Sequence, residues 1–302
     1  MGKIMFVRGI AAVLPLVFLA CSGTPKPPRI EDERRQMAPL PACIKRLQGR
    51  RGGTGLQRTL AEEGYWQLVF PSSYDTAKQS LPDGAVPCTG RPVFDDPAFA
   101  GAERIREYPS PIAEGEILLG SGGDRLKVIW LRTHHLKDGF DVGPLALVRV
   151  KEEFAEVYAI GVYKGLTKKP YFALERIGPE VVVTAQDDGC IGNTKSIPCR
   201  SMLTVLLPRR GKLATLATFA LEQRDFAAGG EPGAPGRIEY RLTASPKFVE
   251  SGVQLFEQVL ATDEGGRELR KAEVERSFTL NDLELVPSED SLWPRIFPTA
   301  PE

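Results

Sequence analysis

The chain has 302 residues, with 39 basic and 39 acidic side chains in balance. That balance excludes the basic surplus on which binding to nucleic acid, or charge-driven binding to anionic lipid, depends. Its length is enough for one large domain or two small ones, and only five cysteines and two histidines are available for redox, metal or acid–base chemistry.

Lys3 and Arg8 open the chain, and Gly9 to Ala20 is an unbroken run of apolar and small residues. The run is too short for the roughly 20 residues that cross a bilayer as a helix. A charged start, a short apolar stretch and a small residue before a cut are the marks of a secretory signal, here residues 1–20. Loss of Lys3 and Arg8 with the signal leaves 37 basic against 39 acidic residues. The residues Phe18-Leu19-Ala20-Cys21 resemble the lipobox of bacterial lipoproteins, exported proteins that share a processing signal and no common fold. That resemblance implies a diacylglyceryl thioether and further acylation, such as palmitate, on Cys21, which becomes the first mature residue. It also implies a cell-envelope address, and Ser22 after the cysteine fits sorting to the outer membrane of a Gram-negative bacterium. The competing reading is an ordinary secretory signal cut after Ser22, leaving a soluble exported protein. Several acyl chains would hold the protein to a membrane without a spanning helix, each buried methylene adding about 0.8 kcal/mol.

Residues 21–42 hold Pro25, Pro27, Pro28, Pro39 and Pro41 around the charged run Glu31-Asp32-Glu33-Arg34-Arg35. Such a segment buries too little apolar surface to offset its chain entropy and reads as a disordered tether. With Cys21 lipidated, four cysteines remain, and an even number in an exported chain reads as disulfides. Of the three possible pairings, Cys43 with Cys88 and Cys190 with Cys199 are favoured. A metal site is disfavoured because no Cys-x-x-Cys pair occurs.

Residues 43–111 read as a mixed α/β lead-in. Leu56 to Glu63 has helical spacing, Gly64 interrupts it, and Tyr65 to Phe70 reads as a strand. Ser72 or Ser73 is placed to cap a short helix through Lys78. From residue 112 to 302 the pattern is β. Glu116–Leu119 and Leu126–Leu131 flank a turn at Ser121-Gly122-Gly123-Asp124, and Leu145–Val150 precedes Phe154–Val162. Tyr171–Ile177 and Glu180–Ala185 flank Gly178-Pro179, and Met202–Leu207 and Leu213–Leu221 flank Pro208-Arg209-Arg210-Gly211. Val253–Thr262 and Glu268–Leu280 flank Asp263-Glu264-Gly265-Gly266. Strands so closely spaced predict a mainly β fold, antiparallel sheets arranged as a sandwich or barrel-like array. The Gly- and Pro-rich run 227–236 reads as a loop.

No catalytic residue stands out. His134, His135, Asp138 and Asp141 form the one group with metal-ligand character, but adjacent residues on a strand point to opposite faces, and Lys137-Asp138-Gly139 is a turn signature. Gly120-Ser121-Gly122-Gly123 is followed by a strand rather than the helix a phosphate cradle needs. Asp187-Asp188-Gly189 with Asn193 lacks the spacing and closing glutamate of a calcium loop. The segment Leu292 to Phe297 is expected to dock on the domain. These readings point to an envelope lipoprotein acting as a non-catalytic binding or scaffold module, requiring no cofactor and meeting the membrane through its lipid and another envelope protein through a sheet edge or loop. The alternatives are a surface hydrolase using the His134/His135 region, or a carrier of lipid or another small ligand.

Overall fold

The computed structural model describes residues 43–46, 50–52, 55–57, 62–119, 124–151, 154–166, 170–190, 197–228 and 236–297. The signal, Cys21, the tether, residues 120–123 and Asn193 lie outside the described residues.

Three short strands, β1 (Ile44–Arg46), β2 (Arg50–Gly52) and β3 (Gly55–Gln57), precede helix α1 (Glu62–Val69), a 3-10 turn (Pro97–Phe99) and β4 (Glu103–Arg104). The remaining strands are β5 (Ile112–Leu119), β6 (Asp124–Trp130), β7 (His134–His135), β8 (Phe140–Val150), β9 (Phe154–Leu166), β10 (Tyr171–Ile177), β11 (Glu180–Asp188), β12 (Cys199–Arg209), β13 (Lys212–Ala228), β14 (Arg237–Val249), β15 (Gly252–Thr262), β16 (Glu268–Asn281) and β17 (Glu284–Pro287). A one-turn helix, α2 (Trp293–Ile296), follows them. The fold is mainly β and antiparallel, as the strand spacing predicts.

Two antiparallel runs make up the large sheet. Strands β5, β6, β8 and β9 pair in order, with β7 also on β8 and β1 on β9. Strands β10 to β17 form an unbroken meander, each hydrogen-bonded to the next. The runs meet where β9 and β13 share one parallel bridge, Ile160 opposite Lys212. A Cβ on Gly161 would lie 2.8 Å from the Leu213 Cβ, so a glycine is needed for this approach. At the far side β10 lies against β5 with no ladder between them among the described residues, and the sheet is not closed.

The core is divided by the sheets. Between the two runs Trp130, Tyr163 and Phe172 pack edge to face, with centroids 5.2 to 6.1 Å apart, among Leu145, Leu147, Val183 and Ala185. The opposite face of β6, β8 and β9 (Ile129, Leu131, Ala146, Val148, Val157) is covered by Trp66, Leu68 and Val69 of α1 and by Phe70 and Leu81. Strand β8 therefore has both faces covered, which is why Asp141 to Arg149 are buried without alternation. The outer face of β11 to β13 packs on β15, β16 and β17 through Leu203, Val205, Phe219, Leu255 and Phe278. Beyond it, Ile296 and Trp293 of α2 cover Leu242 and Val259, so the Leu292–Phe297 segment docks. Glu257 fastens it. This carboxylate is 2% exposed and accepts from the Ser291 hydroxyl (2.7 Å), the Leu292 amide (2.6 Å) and the Arg276 guanidinium (2.9 Å).

Three local expectations are corrected. Tyr65 to Phe70 is not a strand: it falls mainly in α1, where Trp66 stacks on Tyr108 (4.7 Å) and Tyr74 (5.6 Å). A short apolar run carries no decisive period, and tertiary packing selects the helix. Gly55 to Gln57 is a strand, so the helix expected over Leu56–Glu63 does not begin there. No helix follows Ser72 or Ser73. Asp75 instead accepts from the amides of Ala77 (2.9 Å) and Lys78 (3.1 Å), and a local side-chain turn replaces helical bonding.

Disulfides join Cys43 to Cys88 and Cys190 to Cys199, the two pairings favoured by spacing. By loop entropy they restrict the unfolded chain by about 4 and about 2.7 kcal/mol respectively.

Candidate functional site

The histidines occupy β7, between β4 and β8, and their alternation sends them to different surroundings. His134 lies against the rings of Phe99 (5.0 Å) and Phe94 (5.5 Å), with its Nδ1 2.9 Å from the Thr133 hydroxyl. Burial, helped by the positive charge of Arg104, holds its pKa below the ordinary 6.5. His135 is directly opposite Asp141 across the β7–β8 ladder, and its Nδ1 is 2.7 Å from the Asp141 Oδ1. The Asp141 side chain is 4% exposed, and its other oxygen is 3.5 Å from the Arg132 guanidinium. Asp138 pairs instead with Lys164 at 3.2 Å. Of the four residues singled out in the sequence, the structure joins His135 to Asp141 and sends His134 and Asp138 elsewhere. Among the described residues no three His, Cys, Asp or Glu are grouped to hold a metal ion.

The other acidic motifs serve the backbone. Asp187 is buried and accepts from the Leu166 amide at 3.0 Å, and burial raises its pKa. Asp188 accepts from the Cys190 amide at 2.9 Å, beside the second disulfide.

A surface cleft of about 430 Å³ lies at the corner where β9 meets β13. Its first wall is the loop 89–96. Cys88 anchors the start of that loop, through its bond to Cys43 and through its amide, which donates to the Val69 carbonyl at 2.7 Å. The side chains of Val93 and Phe94 pack on the core beneath it. The second wall is the β12–β13 turn. Arg210 and Gly211 take positive φ of 48° and 79°, as a tight hairpin turn requires. Such a position favours Asn or Gly, and holding an arginine in a left-handed conformation costs about 1–2 kcal/mol. The Gly211 carbonyl ties the turn to β9 by accepting from the Ile160 amide at 3.1 Å. Ile160, Val162, Leu213, Pro92 and Val93 make the cleft partly apolar.

The charges in the cleft are unevenly committed. Arg91, Arg210 and Lys212 line it, and among the described residues none of them forms an ion pair, whereas neighbouring Arg209 is bound to Glu180 at 3.0 Å. Of its two carboxylates, Asp96 caps the 3-10 turn by accepting from the Ala98 amide at 2.9 Å, and Asp95 is exposed. No histidine, cysteine or serine lines it, and the one hydroxyl, of Thr89, accepts from the Arg91 amide at 3.4 Å. Sequence reading did not find this cleft, because residues 89–96, 160–162 and 210–213 come together only on folding. The one local signal was an arginine, Arg210, at a turn position that favours Asn or Gly.

Comparison of the chain with protein-family models, with curated proteins and with solved structures finds no match.

Proposed function

We propose that the protein is an exported binding module, held to a membrane of the cell envelope by lipid on Cys21, with the cleft between residues 89–96 and 210–213 as its binding surface. The observation that carries this reading is the set of three cations that form no ion pair among the described residues, on two walls fixed by a disulfide and a tight turn. Polar groups that converge on a concave, partly apolar site are what recognition uses. The two disulfides fit an oxidising compartment. The anchor is tested by the intact mass of the N-terminal peptide from purified membranes, with Cys21→Ala as control. The reading expects a diacylglyceryl-bearing mass that the control lacks. An unmodified start at Gly23 overturns the anchor and makes the protein a diffusing one.

A second reading, a hydrolase, rests on the His135–Asp141 pair. A buried carboxylate that orients an imidazole through Nδ1 is the supporting half of a general-base unit. It predicts that His135→Ala reproduces whatever phenotype deletion of the protein produces. Wild-type behaviour of that variant ends it.

A further inference from the structure

We infer that the cleft at the β9–β13 corner binds an anionic ligand, a small molecule or chain end that carries two or more phosphate or carboxylate oxygens beside an apolar portion. This rests on the reading of the protein as a binding module and specifies what it binds. The chemical class follows from the lining. Arg91 and Arg210 supply planar guanidinium groups that suit the paired oxygens of phosphate or carboxylate, and Lys212 adds a point charge. Against these three cations stand two carboxylates, Asp95 and Asp96, so the lining carries one positive charge in excess although the whole chain is neutral. Ile160, Val162 and Leu213 form the apolar part of the lining. They suit the apolar portion of the ligand.

Size and rigidity agree with this class. The volume of about 430 Å³ lies within the range of small-molecule sites. The Cys43–Cys88 bond stands at the base of one wall, and the bond from Ile160 to Gly211 holds the other, so little backbone ordering accompanies binding. The conformation of Arg210 has the same implication. Asn would occupy that turn position with less strain, and the arginine projects a charge at the rim of the cleft.

The test uses the full chain carrying Cys21→Ala, exported and purified without detergent, titrated by calorimetry with inorganic pyrophosphate and separately with tricarballylate. Saturable one-site binding of at least one probe is expected, weakened when salt rises from about 20 to about 200 mM. Binding of pyrophosphate alone assigns the site to phosphate, and binding of tricarballylate alone to carboxylate. Arg91→Gln, Arg210→Asn and Lys212→Gln are each expected to weaken binding about tenfold and to leave the melting temperature unchanged or, for Arg210→Asn, raised. Failure of the wild type to bind either probe overturns the inference, as does undiminished binding by the triple variant. The two levels of the account separate cleanly. If neither probe binds, yet a photocrosslinker at the cleft still captures an envelope component, the anion inference falls and the binding module stands. If both fail, both fall.

Discussion

The segment 62–111 and the ribbon of β14, β15 and β16 bury their apolar faces by opposite means. The first has one short helix, a 3-10 turn and two residues of strand before β5 begins, and is held by Cys88, by aromatic stacking around Trp66 and by side-chain turns such as that of Asp75. The second is almost all ladder, with up to eleven paired positions between neighbouring strands. Much of its surface is plain polar alternation, as on β16. The first region supplies one wall of the cleft, with Arg91, and the Phe94–Phe99 surroundings of His134, while Arg210 and Lys212 of the other wall come from the β12–β13 hairpin. A backbone held by side chains and a disulfide can take shapes that a ladder cannot. Loops set on a rigid sheet are where binding groups gather.

Several substitutions sharpen or break that contrast. Trp66→Ala removes a residue that is 3% exposed and stacked on two tyrosines, and is expected to cost about 3–5 kcal/mol in chemical denaturation. A loss under about 1 kcal/mol would mean that the segment is not structurally coupled to the sheet. Replacing Cys43 and Cys88 together by Ser is expected to cost about 2–4 kcal/mol, more than the same change at Cys190 and Cys199, because the closed loop is longer. The reverse order in denaturation midpoints contradicts this. Within the ribbon, Glu257→Gln weakens three hydrogen bonds to a buried carboxylate. It should cost about 1–3 kcal/mol and raise protease sensitivity near Leu292 before global unfolding.

A pH test discriminates further. Because the pKa of His134 is lowered in the folded state, the unfolded chain binds its proton more readily. The neutral ring therefore contributes its full stability above the ordinary value of 6.5, and that contribution falls as pH drops through 6.5 toward the folded value. His134→Phe should show a smaller drop in melting temperature between about pH 7.5 and pH 5 than the wild type does. An unchanged drop assigns the acid loss elsewhere. The smallest effect belongs to Phe256→Ser on the open face of β15, where the ring is 48% exposed, expected within about 0.5 kcal/mol of wild type.

The same contrast explains how much could be read from the sequence. The β15–β16 hairpin was plain, since period-2 alternation on both sides of Asp263-Glu264-Gly265-Gly266 is a local signal, and in the structure Asp263 organises that turn by accepting from the amides of Gly265 and Arg267. Strand β14 went unread. Its alternating Ile238, Tyr240, Leu242 and Ala244 are interleaved with Arg237, Glu239 and Arg241, and Pro246 interrupts the pattern although it pairs opposite Leu255. In the irregular segment, Tyr65 to Phe70 was misread because Trp66 is settled by contacts with Tyr74 and Tyr108, not by its own neighbours. For the histidines, the turn at Asp138-Gly139 was legible and sets His135 opposite Asp141. The rings that enclose His134 come from some forty residues earlier and leave no local trace. The cleft was out of reach for the same reason, being made by three distant segments.

The most direct test of the central claim places a photoreactive phenylalanine analogue at Pro92, in the lining of the cleft, or at Phe256, on the exposed ribbon, in living cells. The account predicts a discrete adduct from position 92, lost in the Arg91→Gln, Arg210→Asn background, and none from position 256. An adduct from position 256 alone, or one from position 92 that survives loss of the arginines, would contradict it.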